Sequence, residues 1–289
     1  MPLAPLTTFR IGGPAQILAE PGTERELHDL LRVIADERVP SFYLGHGSNL
    51  LISDDGFDGI VIHARGDLCT ISMQSNMVCA GPGARLLDLT AFAAAHQLTG
   101  MEPLSGIPGS VGGGLYMNAG AYGGEISDTL FDVDVLTPDL KKITLRRDEI
   151  GFHYRTAPAL QSAVILHSRY VLLPGDRMNI YREMRRVWKL RRAKQPLDFP
   201  SAGSVFKRPP GDYAGRLIEE IGGKGTRIGG ALVSPKHAGI FVNAGGAAAA
   251  DVVALVREIR RRVYEHFHIL LELEIKPVGF AGDPFAITL

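Results

Sequence analysis

The amino-acid sequence predicts an α+β protein, two α/β lobes followed by a C-terminal α+β lobe. Three observations point that way. At 289 residues the chain is longer than one small core requires and suits two or three lobes. Helical spacing of apolar residues near the start gives way at once to short apolar strands, the mark of an α/β lobe. After about residue 66 the texture turns to hairpins and strand-like runs around a glycine-rich loop. After about residue 176 helices return, before one closing strand.

The elements follow in order. Thr23 opens a helix, with Glu26 three residues on to complete a capping box and Leu27, Leu30, Leu31 and Ile34 at helical spacing. Short strands are expected at 41–44, 50–52 and 60–62, with the loop Gly45-His46-Gly47-Ser48-Asn49 among them. A hairpin turning at residues 74–76 would place Cys69 opposite Cys79, both reduced in a cytosolic protein. A helix is expected over 86–96, then the loop Gly106–Gly114, then strands at 130–136, 143–145 and 164–172. Asn179 caps a very basic helix reaching about Arg192, and Asp212 caps another ending at Gly222. A long amphipathic helix covers 252–267, and the last strand runs from Ile269 to Pro277.

Composition narrows the function. Basic and acidic residues balance at 31 each, without the basic excess of a nucleic-acid-binding surface. No apolar run approaches the ~18 residues that span a bilayer. Residues 1–13 carry neither a basic nor an apolar leader region, so the expected compartment is the cytosol. Two cysteines make neither a disulfide framework nor a metal site. Glycine, at 34 residues, exceeds the roughly 20 of an average chain, and it clusters in 106–124 and 222–246, where backbone would approach a ligand closely.

Two small-residue loops carry the strongest chemical signal. In 45–49 and 106–114 glycines let successive backbone N–H groups converge on phosphate oxygens, and Ser and Asn add short donors. Neither is a Rossmann fingerprint or a P-loop, which points to a dinucleotide held outside a Rossmann fold. Arg155, beside Tyr154, suits a bidentate carboxylate clamp, although an Arg packed on a ring is commoner. Ser204 sits among small residues without the pattern of a nucleophile elbow. Glu272 and Glu274 share one face of the last strand, where a solvated charged face is the commoner explanation.

These pieces occur in one order that resembles the UDP-N-acetylenolpyruvoylglucosamine reductase (MurB) family. The likeness runs from Thr8-Phe9-Arg10-Ile11-Gly12-Gly13 to Glu274-Ile275-Lys276-Pro277-Val278-Gly279. It is strongest in Pro108–Gly113, Tyr116–Gly123, Ala202–Lys207 and Ser234–Gly239. The length resembles the family's shorter form. The chain departs from the family pattern at His46, Ala157 and Arg208-Pro209.

The resemblance implies a non-Rossmann FAD-binding fold. Residues 1–65, joined by 273–289, would form the first flavin-binding lobe, 66–175 the second, and 176–272 the substrate-binding domain. It implies non-covalent FAD against Gly45, Gly47, Ser48, Asn49, Gly109, Ser110, Gly112, Gly113 and Asn118, and NADPH as co-substrate. It also implies Arg155, Ser204 and Glu274 as catalytic residues, and Tyr154, Arg191 and Lys194 toward a UDP-sugar. Metal, nucleic acid and membrane have no place in it. Two other readings differ in class. One is a flavin-dependent sugar or alcohol oxidase with the flavin tethered to His46. The other is a scaffold that keeps the fold without catalysis.

Overall fold

A computed structural model describes residues 1–287; positions 288–289 of the expected segment 273–289 lie outside the described residues. Among the described residues seven α-helices cover Glu24–Glu37 (α1), Leu86–Ala95 (α2), Val111–Tyr116 (α3), Arg147–Ile150 (α4), Arg177–Lys194 (α5), Ala214–Glu220 (α6) and Ala249–Phe267 (α7). The architecture is α+β, as expected. Among the described residues no helix is long and apolar enough to cross a membrane.

The chain forms two compact units. The first comprises 1–17, 47–60 and 192–287, the second 18–46 and 61–191. The second unit is built on a five-stranded antiparallel sheet, in the order 142–146, 130–136, 164–171, 77–80, 71–74. Its core gathers Leu89 of α2, Val111 and Leu115 of α3, and Val78, Val133 and Tyr170 of the sheet, all buried. Arg169 bridges Asp132 and Asp134 across neighbouring strands, so the charges half-hidden on the sheet are paired.

The first unit carries a four-stranded antiparallel sheet, in the order 201–204, 240–243, 231–233, 227–228. Val252, Val256, Ile259 and Val263 of α7 pack with Phe241, Leu217 and Leu271 into a second core. That is the apolar stripe expected for this helix. Residues 276–278 pair in parallel with 50–52.

Several expectations are corrected. The hairpin pairs Cys79 with Ser72, not with Cys69, because Cys69 ends a short 3-10 helix before the strand begins. α5 starts two residues before Asn179, since the Asp176 carboxylate accepts from the Asn179 N–H at 2.9 Å. Residues 111–116, expected as loop, are helical despite three glycines: Ser110 caps the turn, and Val111 and Leu115 are buried. The long strand over 269–277 is regular only at 276–278, with one isolated bridge between Leu273 and Phe206 before it.

Candidate active site

Ser204 owes its position to a β-bulge in the first unit. Ser201 pairs with Val242 and Ser204 with Ile240, so three steps on one strand match two on its neighbour. Gly203 takes up the mismatch at φ +73°, a conformation natural to glycine. Val205 then rejoins the sheet through Gly239 O at 2.9 Å. Thr8 braces the bulged strand to the first small-residue loop. Its hydroxyl donates to Ser201 O at 2.7 Å, and its N–H donates to Gly47 O at 3.1 Å.

Glu274 lies in the extended segment beside this strand. Its N–H donates to Val205 O at 2.8 Å, and its carbonyl accepts from Asn49 Nδ2 at 3.0 Å. Asn49 O in turn accepts from the Lys276 N–H at 2.9 Å. Asn49, Val205 and Glu274 are thus one hydrogen-bonded knot, and a Cβ on Gly203 would lie 4.0 Å from Ser48 O. Lys194, exposed at the end of α5, lies close enough to His237 to add to the lowering of its imidazole that burial begins.

In the second unit Gly45 meets the later small-residue loop: a Cβ on Gly45 would lie 2.2 Å from Ser110 Oγ. None of the N–H groups of 45–49 donates to a partner among the described residues. Such a run of open donors suits an anion. The later loop differs from expectation. Its N–H groups at 111–114 are taken by Ala84 O, Pro82 O, Ser110 Oγ and Ser110 O. Those of Gly109 and Ser110 remain open among the described residues. Gly113 is exposed, whereas a Cβ on Gly112 would lie 3.0 Å from Pro82 Cβ and 3.1 Å from Pro82 O. Gly112→Val is therefore expected to overpack the loop against Pro82, at about 1–3 kcal/mol of stability, which thermal melting of the flavin-free protein measures.

Asn118 is 1% exposed and left-handed at φ 43°. Its Nδ2 donates to Glu125 Oε2 at 2.7 Å and to His153 O at 3.2 Å, which leaves Oδ1 buried and without a partner among the described residues. A buried acceptor of this kind calls for a donor, supplied by a water or a bound group. His153 and Thr156 exchange N–H···O bonds of 3.0 and 3.2 Å around a tight turn. Arg155, in that turn, has φ 58°, a strained value for a non-glycine residue of the kind seen at functional sites. Its Nη2 donates to Gly120 O at 3.2 Å, and its guanidinium lies 4.9 Å from the Tyr154 ring centroid.

Gly120 opens a two-stranded hairpin whose tip is Tyr122-Gly123, both at positive φ. Burial raises the Tyr122 phenol, and the nearby Arg191 charge opposes that. Arg191 of α5 is 7% exposed, and burial pulls its guanidinium below the usual range. Among the described residues the Arg191 Nε has no hydrogen-bond partner. One unit thus assembles Asn118, Arg155, Tyr122 and Arg191 around a single hairpin; the other assembles Asn49, Ser204 and Glu274 around a single bulge. Sequence reasoning missed Thr8 and Tyr122. Only the positions of both inside the matched motifs hinted at them.

Comparison with known proteins gives the family. Residues 195–278 match the C-terminal domain of UDP-N-acetylenolpyruvoylglucosamine reductase, and residues 15–145 match an FAD binding domain. The UDP-N-acetylenolpyruvoylglucosamine reductase of Caldanaerobacter subterraneus is 43% identical over 96% of this chain and 92% of its own length. That of Latilactobacillus sakei is 42% identical over the same shares. The crystal structure of the MurB reductase of Thermus caldophilus superposes with a TM-score of 0.85 at 38% identity, covering 96% of this chain and 97% of that one. With identity at this level across nearly the full length of each relative, the chain belongs to the UDP-N-acetylenolpyruvoylglucosamine reductase family.

Proposed function

We infer that this chain catalyses the NADPH-dependent, FAD-mediated reduction of UDP-N-acetylglucosamine enolpyruvate to UDP-N-acetylmuramate, a step of peptidoglycan precursor synthesis. The observation that carries the reading is full-length membership of the reductase family. The oxidase alternative is not favoured by it. The lobes 1–65 with 273–289 and 66–175 would hold the flavin, and 176–272 the sugar nucleotide. The enzyme would work in the cytosol on these small-molecule substrates.

The residues fit the cofactor. A dinucleotide brings phosphate oxygens that need donors, and the open N–H groups of 45–49, 109 and 110 are donors. Gly45, Gly47, Ser48, Asn49, Gly109 and Ser110 would hold it directly. Gly112 and Gly113 shape the loop, and Asn118 Oδ1 would accept a hydrogen bond from the bound group. Bound there, FAD would supply the redox chemistry between NADPH and the enol ether, and these residues would hold it in place.

The chain's own side chains handle charge and protons. As the double bond gains hydride, negative charge moves onto the substrate carboxylate. Arg155, a guanidinium presented by its strained turn, pairs with that carboxylate and stabilises the charge, while Tyr154 flanks it. Glu274, when its carboxyl carries a proton, would donate a hydrogen bond to the developing enolate. Ser204 Oγ gives its proton to the neighbouring carbon, which completes the reduction. Arg191 and Lys194 are cations suited to the diphosphate.

The test is spectroscopic. The purified protein should be yellow, with flavin released on denaturation. NADPH should bleach it under anaerobic conditions, and the enolpyruvyl sugar nucleotide should restore the colour. Flavin that stays with the precipitated protein, or colour that the substrate does not restore, would count against the reading.

A further inference from the structure

Thr8 spends its backbone N–H on one neighbour and its hydroxyl on another, all within the first unit. The N–H donates to Gly47 O at 3.1 Å. The hydroxyl lies 2.7 Å from Ser201 O and 3.4 Å from Gly47 O, and its single proton goes to the nearer carbonyl. Ser201 returns a bond, its N–H donating to Thr8 O at 3.1 Å. Two residues that exchange bonds in this way form the hydrogen-bonded step of an antiparallel ladder. Here a side-chain hydroxyl stands where an amide N–H would be, because the amide is already committed to Gly47.

The strand that carries Ser204 needs that partner. The Asn243 N–H donates to Pro200 O at 2.9 Å. Antiparallel pairing alternates, so at the next residue, Ser201 opposite Val242, the N–H and C=O turn to the other edge. Residues 201–204 are the outermost strand of their sheet, and Thr8 meets them on that edge. Three residues on, the bulge at Gly203 delivers Ser204, so the anchor at Ser201 fixes where the bulge begins. The other side of Thr8 is held as closely. Gly47 has φ +60°, and a Cβ there would lie 2.4 Å from Leu6 O and 2.7 Å from Thr7 Cα. Residues 6–8 are thus wedged between a loop assigned to the dinucleotide and the strand of the proton donor.

We propose that Thr8 is a positioning residue for the proton transfer: its hydroxyl holds the start of the Ser204 bulge in register with the loop at Gly47. The inference rests on the reductase reading above and on Ser204 as its proton donor. A proton passes from donor to carbon only over hydrogen-bond distances, so a small displacement of the bulge falls on that step and spares reduction by NADPH.

Thr8→Val keeps the shape and removes the donor; Thr8→Ser keeps the donor and loses a methyl. In FAD-loaded enzyme, anaerobic stopped-flow absorbance should show Thr8→Val bleached by NADPH within about twofold of the wild-type rate and reoxidised by the enolpyruvyl sugar nucleotide roughly ten- to hundredfold more slowly. Thr8→Ser should stay within about threefold of wild type in both phases. In a Ser204→Ala background the same Thr8→Val change should slow reoxidation by less than about threefold, since an anchor that acts through Ser204 has no proton left to place. Melting curves and flavin content show which variants are folded and loaded, and Thr8→Cys, a weaker donor, replaces Thr8→Val if that variant is not. Unchanged reoxidation in a folded Thr8→Val, both phases slowed alike, equal slowing with and without Ser204, or a folded Thr8→Ser as slow as Thr8→Val, overturns the assignment. Wild-type reoxidation by the substrate is measured alongside. Its presence with any of those results removes the role of Thr8 alone, and its absence removes the parent reading and this inference with it.

Discussion

Ser204→Ala is expected to split the reaction into one healthy half and one crippled half. The hydroxyl is not what holds the bulge: the register shift, Gly203 at φ +73° and the bond from Val205 N to Gly239 O are all backbone features. Removing one oxygen from a half-buried position of this kind should change stability by under about 0.5 kcal/mol. Bleaching by NADPH consumes no proton from Ser204 and should run near the wild-type rate. Reoxidation by the enolpyruvyl sugar nucleotide requires a proton on carbon, and should slow by roughly 10²–10⁴-fold, the usual worth of a positioned acid. Stopped-flow absorbance separates the two phases. Equal slowing of both would remove Ser204 from the proton-donor role and leave it a structural residue of the strand.

What the sequence made legible was local chemistry and burial; what it hid was partners. The capping box at Thr23 and Glu26 depends on residues three apart, and it is present. The apolar stripe of α7 depends on residues three and four apart, and it is buried as expected. The closing segment shows the limit. Its alternation held for burial, with Leu271 and Ile275 inside and Glu272 outside. Alternation does not report which strand is the neighbour, and here the neighbour changes, from antiparallel Phe206 at Leu273 to parallel Leu50 at Lys276. One regular strand therefore becomes an isolated bridge and a short ladder. The helix at 111–116 failed for the opposite reason: local propensity disfavoured three glycines, and burial of Val111 and Leu115 outweighed it. In the candidate site, Arg155, Ser204 and Glu274 were named through a family resemblance. Their supports were not legible at all. Thr8 reaches a carbonyl 193 positions away, and Asn118 one 35 positions away, which no local pattern encodes.

The same change of neighbour separates two glutamates that alternation treats alike. Period-two spacing puts Glu272 and Glu274 on one face, about 6.5 Å apart along the chain. The fold makes them unequal. The Glu272 side chain is 71% exposed and pairs with Lys207 at the surface. Glu274 is half-buried, with its backbone held by Val205 O on one side and Asn49 Nδ2 on the other. Glutamine keeps the size and most of the hydrogen bonding of glutamate while removing the charge and the acidic proton. At Glu272 that change loses an exposed ion pair, a matter of under about 1 kcal/mol, and nothing near the substrate. At Glu274 it removes the group proposed to donate to the developing enolate, and transition-state stabilisation of several kcal/mol should go with it, on the order of 10²–10⁴-fold in rate. Glu274→Gln is therefore expected to bleach with NADPH at a near-normal rate and to recover colour very slowly with substrate, the loss falling on turnover more than on substrate affinity. Glu272→Gln should match wild type in both phases. A healthy Glu274→Gln beside a crippled Glu272→Gln would mean that the exposed carboxylate paired with Lys207, not the one tied to Val205 and Asn49, is the one that meets the substrate.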